Sequence, residues 1–573
     1  MLRIPVLLLI TLLTSPLRIL VTCLFRLRRR KRSVVTWTLG GERRPIEPPA
    51  FEQMLETLGC IAGDSRIAGL RVEIRALRLG WSQLYLLRDA LAEVAGSGTH
   101  VEAYMSSGGG RELLVASAAH RVSMPPPAEL YLTGVATSVR FFGDALERVG
   151  VQADLESAGA YKSFGETYTR SHPTPENREA MDHLLGDLHD NWLSVLSAGR
   201  DLDINELDAA LVASPISALA AVECGLIDAA VYPDEEWAAW EERLGGAPRC
   251  VSLKSYGRLS RLERKMPRLR RKNSLVAVVH LEGPVVERRE QMGRGGRVIA
   301  SDDVVPVLEE LTENEHIKAV VLAVNSPGGS ALASDLIARS VTALAEKKPV
   351  VASMGNVAAS GGYYIAAMAH EIWAHRATIT GSIGVVGGKI VFGGALAKLG
   401  IHSTWMGPAP DPGLLTPHAR FDPDQRRRFR GSLRRVYDRF IAIVAEGRSK
   451  TVDEVEAVAQ GRVWTGGQAI ENGLVDELGT VTDAVRAAAV RGDLNPDRVK
   501  PIPIRFDPPK FGAVSQLMRG NVQSSTDVAT QLLGADCVSL QMLYSCPVEP
   551  LALESWVLDD AAWLAWTSPY ASR

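Results

Sequence analysis

The sequence has few cysteines, little net charge and few aromatic residues, and each shortage argues against a class of protein. Six cysteines occur among 573 residues, none in a CxxC pair or beside a histidine at ligand spacing, which argues against a zinc site. The net charge is −2 and basic stripes interleaved with aromatic residues are missing, so nothing favours nucleic acid as a partner. No motif indicates a metal or an organic cofactor.

Cys537 and Cys546 can form a disulfide if the tail lies outside the cytoplasm; the alternative is two buried free thiols.

Long apolar runs are also scarce, and the N-terminus carries the one membrane signal. Residues 4–25 are long enough to cross about 30 Å of hydrocarbon as a helix, but Pro16 and Arg18 interrupt them. No small-residue cleavage site comes after this run, which favours an uncleaved anchor. The basic run at 26–32 should stay cytoplasmic by the positive-inside rule, together with the residues C-terminal to it. The alternative for 1–32 is an amphipathic segment on the inner leaflet, its basic run against anionic lipid.

The chain repeats itself. The string FGDALERVGV that begins at Phe142 reappears as FGGALAKLGI at Phe392, 250 positions later. An Ala-His pair matches at the same spacing, His120 with His370, and a Gly-Leu-(Ile/Val)-Asp string matches at 248 positions. Near-constant spacing over more than a hundred residues indicates a duplicated domain.

Strand-like apolar runs alternate with helical stretches, which predicts an α/β fold. Two such strands and two such helices are Leu275–His280, Ala319–Val324, Asp302–Asn314 and Ser330–Glu346. We predict a first repeat at 50–250, a basic linker at 251–274 and a second repeat at 275–492. Residues 493–573 match neither repeat and form a C-terminal extension.

A glycine turn in the second repeat has the outline of an oxyanion site. The strand that ends at Val324 is followed by Asn-Ser-Pro-Gly-Gly-Ser, after which a helix begins. Glycines let backbone N–H groups approach a ligand closely, and a helix N-terminus favours negative charge. Gly328 and Gly329 are therefore candidate donors, although phosphate sites and plain tight turns share this pattern.

Ser360 is the candidate nucleophile. It comes after a predicted strand and a bend at 355–359, and it heads a predicted helix. A serine in that position usually caps the helix, which is the alternative interpretation. Its neighbours on either side are alanine and glycine, however, and leave room for a substrate backbone. The N–H of Gly361 and that of Gly328 or Gly329 can then hold the oxygen of a tetrahedral intermediate.

A serine hydroxyl needs a base, and the nearby histidines are poorly placed for that role. His370 lies about 15 Å along a helix that starts at Ser360, and His375 lies farther on. His280 and His402 are not excluded by spacing, but nothing near either of them suggests an orienting carboxylate. A lysine kept neutral by desolvation is the other way to activate a serine.

Four strings occur in order: Val324-Asn-Ser-Pro-Gly-Gly-Ser330, Ala358-Ala-Ser-Gly-Gly-Tyr363, Thr380-Gly-Ser-Ile-Gly384 and Gly461-Arg-Val-Trp-Thr-Gly466. Together they resemble the signal peptide peptidase A (protease IV) family in its long, duplicated form, over about 51–489. The resemblance implies two tandem ClpP/crotonase-like repeats and a Ser–Lys dyad without histidine, with Ser360 as nucleophile. It also implies apolar signal-peptide remnants as substrates and a homotetramer whose subunits share their sites.

The lysine of that dyad has to come from the first repeat. Short members of the family carry it in a Tyr-Lys motif about fifty residues after the serine. The corresponding position here is Pro412, and no lysine lies between Lys398 and Lys450. In the long form the first repeat supplies the lysine, and Ala160-Tyr-Lys-Ser-Phe-Gly165 fits the motif. We therefore expect Lys162 to be the general base and acid; the alternative is an ordinary surface lysine.

The first repeat is expected to be catalytically silent, because Gly110 stands where the serine should be and Arg75–Trp81 replaces the glycine turn.

Two other functions remain as alternatives: a crotonase-type acyl-CoA enzyme, which would need neither Ser360 nor Lys162, and a membrane scaffold derived from a peptidase. The sequence favours a serine endopeptidase bound to inner-membrane lipid. The resemblance puts its catalytic body on the periplasmic side, whereas the basic run favours the cytoplasm.

Overall fold

The computed structural model describes residues 33–41, 46, 48–264, 275–289, 297–404, 406, 411, 413–496 and 499–506. The anchor predicted at 1–32, the position Pro412 and the pair Cys537 and Cys546 lie outside the described residues. In this described part of the chain, no helix combines the length and the apolar character needed to span a membrane.

Strands and helices alternate along the chain, as predicted. The strands are β1 (Ser33–Leu39), β2 (Ile67–Ile74), β3 (His100–Met105), β4 (Gly108–Gly109), β5 (Arg121–Met124), β6 (Glu129–Tyr131), β7 (Gln152–Ala158), β8 (Ile216–Ser217), β9 (Ala229–Ala230), β10 (Arg249–Ser252), β11 (Leu275–Glu282), β12 (Val285–Val286), β13 (Ile299–Ala300), β14 (Ile317–Ser326), β15 (Val350–Ala359), β16 (Glu371–Ala374), β17 (Ile379–Gly381), β18 (Val385–Val391), β19 (Val463–Thr465), β20 (Glu477–Leu478) and β21 (Lys500–Arg505). The α-helices are Pro48–Ala62, Trp81–Gly96, Gly110–Ala116, Gly143–Val149, Glu166–Thr169, Pro175–Arg200, Ile204–Ala213, Ala218–Glu223, Pro233–Leu244, Leu253–Arg264, Ser301–Glu313, Ala331–Ala345, Gly361–Ala366, Gly393–Lys398, Pro423–Gly447, Val452–Val458, Gly466–Glu471 and Val481–Arg491.

The chain divides into two compact units that differ from the repeat bounds. Among the described residues, the first unit holds those up to Ala136 and from Leu188 to 264, and the second unit holds Thr137–Asp187 and everything from Leu275 onward. The segment Thr137–Asp187 belongs to the first repeat in sequence but packs in the second unit, because its strand β7 pairs with β18. Lys162 therefore lies in the same unit as Ser360.

The first unit is built on a six-stranded sheet in the order β10-β1-β2-β3-β5-β9, with every neighbouring pair parallel. Strand β1 of this sheet precedes the repeat predicted at 50–250, and strand β10 extends two residues past the end of that repeat. The predicted linker at 251–274 is likewise partly structured: helix Leu253–Arg264 buries Tyr256, whose hydroxyl donates to Cys60 O at 3.0 Å. An aromatic side chain in the basic sequence anchors this helix.

The second unit is built on an eight-stranded sheet with the path β19-β17-β15-β14-β11-β21, to which β16 is added beside β15 and β20 beside β16. The bend predicted at 355–359 is wrong, because β15 runs unbroken to Ala359 and changes partner instead. Residues Val351–Met354 pair with β16, and Val357–Ala359 pair with β17. The strand thereby reaches the position where Ser360 begins the next turn.

Equivalent contacts recur in the two units. In the first unit His120 N donates to Val101 O while Val101 N donates to His120 Nδ1, and in the second unit His370 and Val350 make the same two bonds. Each unit also has an arginine paired with the aspartate of the Gly-Leu-(Ile/Val)-Asp string, namely Arg200 with Asp228 and Arg448 with Asp476. The duplication read from the sequence is therefore repeated in the hydrogen bonding.

Candidate active site

Ser360 occupies a strained turn between β15 and helix Gly361–Ala366. Its backbone has φ +54°, a region that non-glycine residues seldom adopt, and its N–H donates to Gly381 O at 2.9 Å. The side chain makes no capping hydrogen bond with the helix. The interpretation of Ser360 as a helix cap is therefore wrong, and its hydroxyl is directed to another partner. The helix itself ends at Ala366.

Strand pairing brings Lys162 to Ser360. β7 and β18 are antiparallel, with Ala158 opposite Val385. In such a pair the residues that come after Ala158 run beside those that precede Val385. Lys162 comes four positions after Ala158, and Ser382 comes three positions before Val385. The pairing thus sets the lysine against the turn at Ser382.

The amine of Lys162 has three close oxygen neighbours. Nζ lies 3.1 Å from Ser360 Oγ, 2.8 Å from Ser382 O and 2.9 Å from Ser382 Oγ. A neutral amine has two N–H donors and one lone pair. The two oxygens of Ser382 can accept both N–H groups, which leaves the lone pair for the proton of Ser360. This geometry matches a lysine that acts as a base toward the serine.

Burial of the amine lowers the pKa of Lys162 from 10.5 to about 7. The physical cause is desolvation, which disfavours the charged form of the amine. A substantial fraction of the lysine is therefore neutral near pH 7 without any help from a histidine or a carboxylate. Lys162 is not the surface lysine of the alternative interpretation.

Ser382 is a functional candidate that the sequence alone did not single out. Its backbone also has a positive φ, +51°, and its N–H donates to Arg462 O at 2.7 Å. The string Thr380-Gly-Ser-Ile-Gly384 marked the region, but nothing in it distinguishes a lysine-binding serine from an ordinary turn residue. The positive φ is a property of the folded backbone.

Three backbone N–H groups are candidates for an oxyanion site at Ser360: those of Gly328 and Gly329 in the glycine turn, and that of Gly361, which follows the serine. Gly328 N donates to Ser326 Oγ at 3.1 Å, so that group is already used. For Gly329 N and Gly361 N no acceptor is found among the described residues. A Cβ built on Gly361 would lie 3.3 Å from Gly329 N, which shows how close the two glycines are. Gly329 and Gly361 are therefore the candidate oxyanion donors, and Gly328 fits closely against Ser360.

Residues before the site hold the glycine turn in place. Val285 N donates to Gly328 O and Ser330 N donates to Val285 O, both at 2.8 Å. The hydroxyl of Ser330 donates to the buried carboxylate of Glu287. These bonds fix the turn from its other side.

Two of the histidines considered as bases accept hydrogen bonds from nearby backbone N–H groups, and a third has a lowered pKa. Nδ1 of His370 accepts the N–H of Val350, and Nδ1 of His375 accepts that of Ala377. His280 lies on β11, where burial and two nearby arginines lower its pKa to about 4. In the described ranges, no group of three or more His, Cys, Asp or Glu side chains is arranged to hold a metal ion.

The corresponding place in the first unit is filled. A Cβ on Gly110 would lie 2.7 Å from the ring of Trp192, whose Nε1 donates to Gly110 O. The carboxylate of Glu112 accepts the N–H groups of Leu77 at 2.7 Å and of Gly109 at 2.9 Å. The Trp192 ring therefore occupies the space that a serine side chain at position 110 would need. The Glu112 carboxylate is hydrogen-bonded to two nearby backbone N–H groups.

Comparison with known proteins identifies the family. The model of peptidase family S49 matches twice, at residues 98–245 and 342–495. The chain is 31% identical to serine protease SPPA, chloroplastic, of Arabidopsis thaliana, over 82% of this chain and 70% of that protein. It is 32% identical to protease 4 of Salmonella typhi, over 70% of this chain and 65% of that protein. A ClpP1 mutant of Listeria monocytogenes is a structural neighbour with a TM-score of 0.24 and 15% identity, covering 36% of this chain and 93% of that one. The chain belongs to peptidase family S49 and is a serine-type protease that contains the family domain twice.

Proposed function

We propose that this protein is a membrane-associated serine endopeptidase in which Ser360 and Lys162 form a catalytic dyad. The observation that carries the proposal is the 3.1 Å approach of Lys162 Nζ to Ser360 Oγ. A hydroxyl and a desolvated amine in hydrogen-bond reach are the two parts that nucleophilic catalysis without histidine needs.

The proposed reaction uses each group in turn. Neutral Lys162 removes the proton of Ser360 as Oγ attacks the peptide carbonyl carbon. The N–H groups of Gly329 and Gly361 hold the resulting oxyanion, each contributing about 10²–10³-fold in rate. Lys162 then gives its proton to the leaving amine, and the acyl-enzyme forms. Water deprotonated by Lys162 attacks the ester, and the released Ser360 oxygen takes the proton back.

The substrate class, the fold of each repeat and the membrane side are inferred from the resemblance. We assign the substrates to apolar peptides such as cleaved signal-peptide remnants, and each repeat to the ClpP/crotonase fold. We place the catalytic body on the periplasmic side of the inner membrane. A reporter domain fused after residue 273 tests that orientation, since its activity differs between cytoplasm and periplasm.

We also propose assembly as a homotetramer, which the resemblance implies, and an asymmetry between the repeats supports contact between copies of the chain. Gly150, which follows helix Gly143–Val149, is covered by a neighbouring backbone segment, because a Cβ there would lie 2.6 Å from Ala395 N. Its equivalent Gly400 meets nothing within 4 Å, and the adjacent Leu399 and Ile401 are 75% and 51% exposed. A second copy of the chain can cover this apolar end as Ala395 covers Gly150.

The decisive experiment compares Ser360→Ala and Lys162→Ala in cleavage of an apolar peptide and in labelling by a serine-directed acylating probe. Both variants should lose cleavage by at least about 10³-fold. Lys347→Ala is the control, because that lysine is 55% exposed and pairs with Glu313 at the surface. Full activity of Lys162→Ala would remove the dyad from the mechanism.

A further inference from the structure

A cluster of four side chains adjoins the lysine of the site. The guanidinium carbon of Arg462 lies over the ring of Tyr161, 4.9 Å from the ring centroid, and over the ring of Trp464, 4.7 Å from its centroid. Its Nη1 lies 2.7 Å from a carboxylate oxygen of Glu179, and the hydroxyl of Tyr161 lies 3.2 Å from the other oxygen. Tyr161 immediately precedes Lys162, so this cluster acts directly on the segment that carries the base.

The backbone around Arg462 is hydrogen-bonded both to Ser382, which contacts the amine, and to Tyr161, which precedes Lys162. Arg462 O accepts the N–H of Ser382 at 2.7 Å, and Gln460 O accepts the N–H of Tyr161 at 2.8 Å. Gly461 lies against Lys162, since a Cβ there would be 2.6 Å from Lys162 N. Residues 460–462 therefore lie between the lysine segment and the Ser382 turn, bonded to each.

We propose that Arg462 is a positioning residue, whose guanidinium stack between Tyr161 and Trp464 keeps the Lys162 segment closed against Ser382 and keeps water away from the amine. This inference rests on the proposed function of Lys162 as the base. The side chain of Arg462 is only 16% exposed, although it carries a charge. Its Nε is buried without a hydrogen-bond partner among the described residues. An unbonded buried donor lowers the stability of the folded protein, yet Arg462 keeps its position over the two rings.

Burial links this cluster to catalysis. The lowered pKa of Lys162 has desolvation as its cause, so its value depends on the exclusion of water. The charged and titratable groups packed around the cluster are Glu179 on Arg462, Glu456 on the amide of Gln460, His183 beside Trp464 and Asp187 on the hydroxyl of Thr465. Glu179 offsets the charge of Arg462. Loss of the stack should therefore act on Lys162 through hydration.

The test is the pH profile of Ser360 acylation by the serine-directed probe, measured on the full chain from about pH 5 to about pH 10. In Arg462→Ala the midpoint should rise by about one pH unit or more, while the plateau rate at high pH stays within about tenfold of wild type. Tyr161→Leu should shift the midpoint in the same direction, and Tyr161→Phe, which keeps the ring, should shift it less. Arg486→Ala is the control, because Arg486 is 60% exposed and pairs with Asp483 at 3.4 Å.

The outcomes separate this inference from the proposed function. Lys162→Ala is run in the same series, and its full acylation would refute the dyad whatever Arg462 does. An inactive Lys162→Ala together with a folded Arg462→Ala that keeps the wild-type midpoint overturns only the role of Arg462. If Arg462→Ala does not fold, Tyr161→Leu decides: a wild-type midpoint there overturns the inference, and an alkaline shift supports it.

Discussion

Two serines in contact with the same amine both have a positive φ. Ser360 has φ +54° and Ser382 has φ +51°. For a residue other than glycine such a conformation costs on the order of 1–3 kcal/mol, and the strain persists where the surroundings enforce it. Each strained turn places an oxygen within 3.1 Å of Lys162 Nζ. The strain therefore coincides with a lysine whose burial brings its pKa to about 7.

The first residue-scale prediction concerns pH. Lys162 must be neutral to take the proton of Ser360, and its pKa is lowered to about 7. The rate of acylation should therefore be low in acid, rise through about pH 7 and level off above about pH 8. A stopped assay of probe labelling across this range checks it. A midpoint close to 10 would contradict a desolvated base.

A second prediction uses two glycines with similar backbone angles. Gly461 has φ +82° and Gly98 has φ +89°. In Gly461→Ala the new Cβ would lie 2.6 Å from Lys162 N and Cβ, so the lysine must move, whereas Gly98→Ala meets nothing within 4 Å. Both substitutions carry the strain of positive φ, so their difference isolates the contact. We expect Gly461→Ala to lower kcat/KM by about 10²-fold relative to Gly98→Ala.

The sequence predicted that some of the candidate site residues lie together and did not predict this for others. Ser360 and Lys162 could be paired because each repeat visibly lacks one of them. Gly328 and Gly329 could not be told apart, since the choice depends on which N–H is already bonded to Ser326 Oγ. Ser382 was missed because its role comes from the pairing of β7 with β18, which no local pattern encodes.

At the scale of elements, β7 is the strand that delivers the lysine, and a helix secures it. Arg426, on helix Pro423–Gly447, pairs with Asp154 at 2.7 Å and also with Glu156, and both carboxylates belong to β7. Asp154 is 1% exposed, so its charge depends on partners inside the protein. This ion-pair cluster fixes the strand that leads into Lys162.

The element-scale prediction compares two adjacent arginines. Arg426→Ala leaves Asp154 buried with the weaker contact of Arg420 at 3.8 Å, and should destabilise the second unit by about 2–3 kcal/mol. Arg427→Ala should cost less than about 0.5 kcal/mol, because Arg427 and its partner Asp424 are 74% and 72% exposed. Urea titrations followed by tryptophan fluorescence measure the difference, and acylation rates should fall only in Arg426→Ala. Equal midpoints for the two variants would show that the pairing does not hold β7.

Element boundaries show where sequence patterns fail. The predicted strands and helices of the second repeat occur with ends shifted by a few residues. β21 was missed because Pro501 and Pro503 interrupt its pattern, yet a strand at the edge of a sheet tolerates residues without an N–H. The bend predicted at 355–359 coincides with the partner change inside β15, because Gly355 and Asn356 are residue types typical of turns.

At the scale of the whole molecule, the duplicated chain brings Ser360 and Lys162 together in one unit and fills the corresponding position of the other unit. Trp192 and Glu112 fill the first unit's counterpart of the serine and its turn. Loss of a serine in one repeat and of a lysine in the other is compatible with activity only if the remaining two meet, either within one chain or between copies. The second unit contains both, because Thr137–Asp187 packs there.

The last prediction tests whether the two residues must belong to one chain. Ser360→Ala and Lys162→Ala chains, each with a different affinity tag, are co-expressed, and assemblies that hold both are isolated by tandem purification. Because Lys162 Nζ lies 3.1 Å from Ser360 Oγ within the second unit of a single chain, we expect no recovery of peptide cleavage. Wild-type chains co-expressed with Ser360→Ala are the control and should retain activity in proportion to the wild-type content. Activity in the mixed assemblies of the two inactive variants would show instead that one copy lends its lysine to the serine of another.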